Sequence, residues 1–268
     1  MTTCPNCDFP QVGNETFCSH CGTRVFGMAT SARAFVPSER RFERRFYLAA
    51  SVAFLALVFW TFARTFYLKP FFHTPVLPLM LHVHGVVMTG WVVLLVAQSG
   101  LVAIHRVQWH RRLGVFGAMW AALVVVFGST TTLHAAAREV RNRTAFAGPQ
   151  IVITSLDLVQ MLLFAGLVAL AIRLRRRPDY HKRLMLLTIA CMLPDALARL
   201  PVHFMTNRLI LWGLDGFVLL CVAIDGIRRR RLHPAFAWGA LIVLGAFHVA
   251  FHFVRTPAWI AFGKRLLS

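Results

Sequence analysis

The sequence predicts an all-α polytopic membrane bundle of about seven transmembrane helices, preceded by a small four-cysteine zinc ribbon. Of its 268 residues, 57% are hydrophobic and only 15% are charged, whereas a soluble domain typically carries about 25% charged residues. Aromatic residues make up 12% of the chain, and Trp and Tyr are common where membrane helices meet the interface. Two Cys-x-x-Cys pairs near the N-terminus indicate the ribbon.

The ribbon is predicted over residues 1–26 and contains Cys4, Cys7, Cys18 and Cys21. Each Cys-x-x-Cys pair places two thiolates on one side of a tight turn, and two such pairs complete a tetrahedral zinc site. Four protein ligands leave no open coordination position, so the zinc is expected to be structural. The arrangement resembles the short zinc ribbons at the N-termini of many bacterial membrane proteins.

A basic linker, residues 27–45, is predicted to connect the ribbon to a seven-helix transmembrane domain at residues 46–268. The domain contains seven apolar stretches, each long enough to cross a hydrocarbon core of about 30 Å. They lie near residues 46–67, 79–104, 113–134, 151–173, 184–203, 209–227 and 234–254. Because the first stretch follows a polar, cysteine-bearing segment, it is expected to insert as an uncleaved anchor.

The net charge of +19 comes from Arg and Lys clusters that lie between the apolar stretches. Most of these clusters share one side of the membrane if the N-terminus is cytoplasmic, which is the orientation that the positive-inside rule favours. The sequence therefore predicts a protein of the bacterial inner (plasma) membrane with a cytoplasmic ribbon and an external C-terminus. The basic loops are expected to contact anionic lipid headgroups, and no nucleic-acid partner is expected.

Histidines and aspartates of the predicted helices fall into two layers. Ionisable side chains are costly in lipid and usually face the interior of a bundle. The outer layer contains His82, His84, His134, His248, His252, Asp157, Asp195 and Asp215, and the inner layer contains His110 and His181. These groups could bind a haem or a second metal, carry protons, or form hydrogen bonds between helices.

Four further polar side chains have simpler expected roles. Gln98 and Gln160 are uncommon residues for a lipid environment, so they are expected to form hydrogen bonds between helices. Asp195 and Arg199 lie four residues apart on one helix face, which predicts an ion pair within the membrane.

Residues 81–114 contain the most distinctive stretch, HVHGVVMTGWVVLLVAQSGLVAIHRVQWHRRLG. With HKRLMLL at 181–187 and TPAWIAFGKRLL at 256–267, it resembles a family of uncharacterised bacterial multi-pass membrane proteins. This resemblance covers most of the chain after about residue 45 and implies no established activity. The histidine, glutamine and HRRLG pattern is also similar to small membrane families suspected of binding b-type haem.

Three functional hypotheses follow, and the first is favoured: an anchor or sensor whose ribbon recruits a cytoplasmic protein partner. The second is a redox protein with b-type haem, ligated by His84 (or His82) with His134 at the outer layer. An inner haem would use His110 and His181.

The third hypothesis is a membrane metal hydrolase. Seven helices with an HxxxH pair, His248 and His252, resemble the ceramidase and adiponectin-receptor superfamily, in which zinc activates a water. Asp157 would serve as its general base. No P-loop, strand-linked GxGxxG or GxSxG occurs, so nucleotide-driven transport and serine hydrolysis have no motif in this sequence.

Overall fold

The computed structural model of the chain describes residues 2–4, 10–11, 17–18, 21, 37–200 and 206–268. Two short strands near the N-terminus form an antiparallel hairpin that pairs Thr2 with Gln11 and Thr3 with Pro10. They are β1 (Thr2–Thr3) and β2 (Pro10–Gln11). The helices are α1 (Pro37–Phe62), α2 (Lys69–Phe72), α3 (Leu79–Ala103), α4 (Val107–Arg141), α5 (Ala147–Arg173), α6 (Pro178–Leu197), α7 (Asn207–Arg229), α8 (Pro234–Phe253) and α9 (Pro257–Leu267).

Six of the described helices are long and apolar enough to cross a membrane: α1 with its π-helical extension to Tyr67, α3, α4, α5, α7 and α8. They confirm the predicted helical membrane protein. The predicted bounds of α3 and α8 are right to within one residue. The predicted bounds of α4 were too short, because its basic ends at 107–112 and 135–141 are also helical. Helix α1 begins at Pro37, inside the predicted linker.

Helix α6 occupies the position of the fifth predicted span but differs from the other long helices. It ends at Leu197, earlier than predicted, and His203 lies outside the described residues. Its charged residues, including Lys182 and Arg183, make it too polar to be counted with the six apolar helices. Nearly every side chain from Arg183 to Leu193 is nevertheless buried. The other helices therefore shield α6 from lipid.

Five helices form a closed ring, in which α1, α3, α4, α5 and α6 each pack against the next and α6 packs back against α1. We call this arrangement the five-helix ring. Helices α7 and α8 pack outside it, both against α6, and α8 also contacts α5. Because α6 belongs to the ring and also carries the two outer helices, it is the central helix of the molecule.

The two ends of the bundle are defined by contacts between helix termini. At one end, Glu43 near the start of α1 contacts Lys182 near the start of α6 and Arg229 at the end of α7. The starts of α4 and α8 and the ends of α3 and α5 lie at the same end, which we call the ribbon end. Helix α7 therefore runs back towards the ribbon end, and α6 traverses the bundle away from it.

Helix α9, at the opposite end, was not predicted. Thr256 caps it by accepting a hydrogen bond from the Trp259 N–H, and Pro257 suits its first turn. The helix packs across the start of α5, where the Trp259 indole donates to Ser155 Oγ at 2.8 Å. Gly263 lies directly against Ile151. At 11 residues, α9 is too short to give the hydropathy signal of a membrane span.

Candidate functional site

Three of the four predicted metal ligands lie together in the structure. The ligand atoms of Cys4, Cys18 and Cys21 all lie within 4.8 Å of one another, and the three residues are buried. The Cys4 and Cys21 sulfur atoms are 3.4 Å apart. Thiolates are soft ligands that suit zinc and related metals, so this cluster could hold a metal ion. Cys7, the fourth predicted ligand, lies outside the described residues.

The cysteine cluster packs on the first turns of α4. Val107, the first residue of that helix, contacts the cluster, and Arg111 Nη1 donates to the main-chain oxygen of Cys21 at 3.4 Å. One face of the first turns of α4 therefore contacts the cluster through two residues. It also carries His110, which turns into the bundle.

His110 and His181, the predicted inner pair, are brought together at the ribbon end. Their rings are 6.2 Å apart between centroids and nearly perpendicular. His181 Nδ1 donates to the Ala171 main-chain oxygen at 2.8 Å, so in the neutral ring the Nε2 atom carries a free lone pair. The Gln98 amide, oriented to satisfy its neighbours, donates to His110 and accepts from the Gly114 N–H. Gln98 thus makes the expected hydrogen bond between helices.

Carboxylates gather in the half of the bundle away from the ribbon. Asp157 accepts a hydrogen bond from Thr132 of α4 at 2.6 Å. Asp195 of α6 accepts one from Gln160 of α5 at 2.7 Å, which confirms the predicted inter-helix role of Gln160. Asp157 and Asp195 are close enough to interact electrostatically. We call these two residues the carboxylate pair.

The predicted ion pair between Asp195 and Arg199 takes another form. Arg199 Nη1 donates to the main-chain oxygen of Asp195 at 2.9 Å, not to its carboxylate. The guanidinium lies 4.6 Å from the ring centroid of Phe62, where a cation and an aromatic face attract each other. The expectation of a side-chain ion pair was wrong, because the Arg199 guanidinium is directed to the main-chain oxygen of Asp195 and to the Phe62 ring. Arg199 remains close enough to His84 to interact with it electrostatically.

The predicted outer haem ligands are not brought together. His84 Nδ1 donates to the main-chain oxygen of Phe127 at 3.3 Å. His134 lies seven residues further along α4 with an exposed side chain. His82 is also exposed, and its Nδ1 faces the main-chain oxygen of Pro78. Of the three histidines, only His84 faces the interior of the bundle.

The HxxxH pair of the hydrolase hypothesis is divided between two environments. His248 Nε2 lies 3.0 Å from Asp215 Oδ1 on α7, whereas His252 is exposed and packs beside the Phe251 ring. Within the described part of the chain, the cysteine cluster is the only group of three or more residues placed to hold one metal ion.

A network of ion pairs at the ribbon end was not predicted from the sequence. It joins three acidic and three basic residues from α1, α6 and α7, so its charges balance. The members of this ion network are Glu43, Asp179, Asp225, Lys182, Arg183 and Arg229. The available signal was weak: acidic and basic residues three or four positions apart, at 179–183 and 225–229.

Arg183 is the centre of this ion network. Its side chain is 0% exposed. It donates from Nε to Asp225 Oδ2 at 3.0 Å, from Nη2 to Asp225 Oδ1, and from Nη1 to the main-chain oxygen of Asp179. Glu43 connects α1 to this centre, because it accepts from Lys182 and from Arg229 at 2.6 Å each. The network therefore fixes three helices to one another at the ribbon end.

His233, between α7 and α8, lies beside this ion network. Burial, reinforced by the positive charge of Arg183, lowers its pKa to about 4. The neutral ring accepts a hydrogen bond from the Ala235 N–H at 3.2 Å. His233 thereby caps the start of α8, a position at which a protonated Nδ1 would have no lone pair to offer.

No protein-family model matches the chain, and searches of curated proteins and of solved structures also found no match. Fold and site together define a multi-pass helical membrane protein with an N-terminal cysteine cluster that could hold a metal.

Proposed function

We propose that the protein is an anchor or sensor of the bacterial inner membrane, whose zinc ribbon is a cytoplasmic docking module fixed to the bundle. One observation carries this proposal: the cysteine cluster packs against Val107 and is tied to Arg111 through Cys21. A ribbon held by the first turns of α4 would transmit a change in the bundle to a bound partner.

The metal of this module is zinc, with Cys7 as the fourth ligand. Three sulfurs within 4.8 Å fit a tetrahedral thiolate site, and Cys7 completes the doubled Cys-x-x-Cys pattern. Such a site is closed, so its role is structural. The reducing cytoplasm keeps the thiols available for the metal.

Seven helices span the membrane in this proposal, with the ribbon end inside. Helix α6 is the seventh, because it traverses the bundle and is shielded by its neighbours. The basic ends of α5 and α7, at 173–177 and 228–231, then lie at the cytoplasmic surface and contact anionic headgroups. Seven crossings place α9 and the C-terminus outside.

The proposal is tested with the full-length protein in detergent and in cells. Purified protein is expected to contain one zinc per chain, and Cys4→Ser is expected to lose it. Chemical cross-linking in cells should capture a cytoplasmic protein with the wild type and not with Cys4→Ser. Cys191→Ser, which alters a buried cysteine of α6, is the matched control and should retain both properties. Unchanged partner capture by Cys4→Ser would contradict the docking function.

A b-type haem remains the second candidate, because the structure brings His110 and His181 together. His181 donates its Nδ1 proton to a main-chain oxygen, which is the usual support for a histidine that binds metal through Nε2. A reduced-minus-oxidised absorption spectrum of the purified protein tests this candidate. A Soret band lost in His181→Gln would support it, and a colourless wild type from haem-replete cells would eliminate it.

A further inference from the structure

The interior of the five-helix ring is lined by residues spaced seven positions apart. A seven-residue step is close to two turns of helix, so such residues share one face. On α3 they are His84, Trp91 and Gln98; on α5, Asp157, Phe164 and Ala171; on α6, His181, Thr188 and Asp195. Three of the five helices thus present a stripe of the same length.

Contacts join the three stripes to one another, and the contact between Trp91 and Phe164 crosses the ring. The rings of Trp91 and Phe164 meet edge to face at 5.0 Å, although α4 separates α3 from α5 in the ring. His84 of α3 interacts electrostatically with Asp195 of α6. At the ribbon end, His181 bonds to the carbonyl of Ala171.

The stripes divide the interior into three layers. The layer away from the ribbon contains the carboxylate pair with His84. The middle layer contains Trp91, Phe164 and Thr188, which are 2%, 0% and 0% exposed. The layer at the ribbon end contains Gln98 and the histidine pair. Two polar compartments are therefore separated by a middle layer that is one aromatic side chain thick.

The carboxylate layer contains more acidic than permanently basic side chains. Asp157 and Asp195 accept hydrogen bonds from the neutral side chains of Thr132 and Gln160. The basic groups near them are the titratable ring of His84 and the guanidinium of Arg199, which donates to the Asp195 main-chain oxygen. With both carboxylates ionised and His84 neutral, the layer would carry one net negative charge. A negative charge inside a membrane bundle is costly, and a proton bound by the layer would remove it.

The middle layer contains an unsatisfied donor. Trp91 Nε1 is buried and has no acceptor among the described residues. A buried N–H without a partner costs about 1–3 kcal/mol, and an ordered water is the common way to satisfy it. Such a water would lie in the ring interior, between the two polar compartments.

We propose that the interior of the five-helix ring is a proton pathway. The carboxylate pair is its proton-binding site, and the Trp91–Phe164 layer is its barrier. Only O–H bonds, and N–H bonds of the histidine pair, are made and broken, and the proton taken up by the carboxylate pair at one face is released at the other. A water held by the Trp91 N–H carries the proton past the barrier. This pathway goes beyond the docking function and does not require the ribbon metal.

The test uses the full-length protein in phosphatidylethanolamine–phosphatidylglycerol vesicles that contain a pH-sensitive dye. A potassium diffusion potential drives protons inward. The wild type is expected to acidify the vesicles faster than protein-free vesicles, and Asp157→Asn and Asp195→Asn are expected to match protein-free vesicles. Asp215→Asn is the matched control, because Asp215 lies in the same half of the bundle but outside the ring, paired with His248. It should retain the wild-type rate.

Two further variants distinguish a loss of the titrating group from a loss of folding in the Asp→Asn proteins. Asp157→Glu retains a titrating group and should retain flux, whereas Phe164→Ala thins the barrier and should increase the rate. Each variant is checked for helix content and a monodisperse elution profile.

Wild-type flux equal to that of protein-free vesicles would overturn the proposal, as would flux unchanged by Asp157→Asn. Flux of sodium without protons would overturn the choice of ion. Cys4→Ser should conduct normally, which separates this proposal from the docking function.

Discussion

Replacing Asp225 with Asn tests whether the ion network holds the bundle together. Asp225 offers both carboxylate oxygens to the buried guanidinium of Arg183. Asparagine has nearly the same shape, but it has one carbonyl oxygen and one NH₂ group. One N–H of Arg183 would therefore lose its acceptor and face another donor, and the central charge would lose its closest counter-ion.

The expected cost follows from the burial of Arg183. Removing one partner of a buried ion pair typically costs about 3–5 kcal/mol, because the remaining charge stays desolvated. Arg183 would keep its hydrogen bond to the Asp179 main-chain oxygen, and Asp179 Oδ1 lies 3.5 Å from its Nη1. We therefore expect a loss near the lower bound, about 3 kcal/mol.

The measurement is the free energy of unfolding in mixed dodecyl maltoside and SDS micelles, followed by circular dichroism. Arg138→Ala is the control: it removes the pair with Glu139, in which the arginine side chain is 64% exposed, and no measurable loss is expected. The double variant Arg183→Met, Asp225→Leu removes both charges and should be more stable than Asp225→Asn alone. An Asp225→Asn protein as stable as the Arg138→Ala protein would refute the argument.

Three further predictions concern packing and capping. The pKa of His233 is about 4 in the folded protein against an ordinary 6.5, so the wild type should lose thermal stability as the pH falls through that window. His233→Asn, which caps without titrating, should lose less, and equal losses would contradict the assignment. In Gly239→Ala the new Cβ meets the buried Leu187 side chain, and the clash should lower the free energy of unfolding by about 1–3 kcal/mol. Adding Leu187→Val should restore part of that stability. Trp259→Phe removes the hydrogen bond to Ser155, worth about 1 kcal/mol, and should speed amide exchange in α9 but not in α8.

Properties that depend on runs of residues were predictable. Apolar stretches and their basic flanks follow from composition along the chain, and these stretches located the six described helices that are long and apolar enough to cross a membrane. Both ends of α4 and the start of α6 were mistaken because hydropathy reports the apolar core of a helix and not its polar turns. At its other end, α6 stops at Leu197, before the predicted apolar stretch does. Helix α9 was missed because it is too short to give the hydropathy signal of a membrane span. Its packing on Ile151 and Ser155 stabilises it instead.

The candidate sites were predictable only in part. The doubled Cys-x-x-Cys pattern grouped Cys4, Cys7, Cys18 and Cys21 as ligands of one metal, and the structure places Cys4, Cys18 and Cys21 together. The sequence also placed His110 and His181 at one depth, and the structure brings them together. It could not choose between His82 and His84, because the choice depends on how α3 is rotated about its axis.

The sequence by itself determined that this chain is a helical membrane protein, since a chain with so little polar surface must place its apolar helices in lipid and satisfy its backbone within them. It also indicated the cysteine cluster through local spacing. The order of helices around the ring was decided by tertiary packing, and so was every site that depends on that order. Glu43 and Arg229 are 186 positions apart, and Asp157 and Asp195 belong to different helices. No local pattern encodes such pairs, because they form only when side chains interlock across a folded interior.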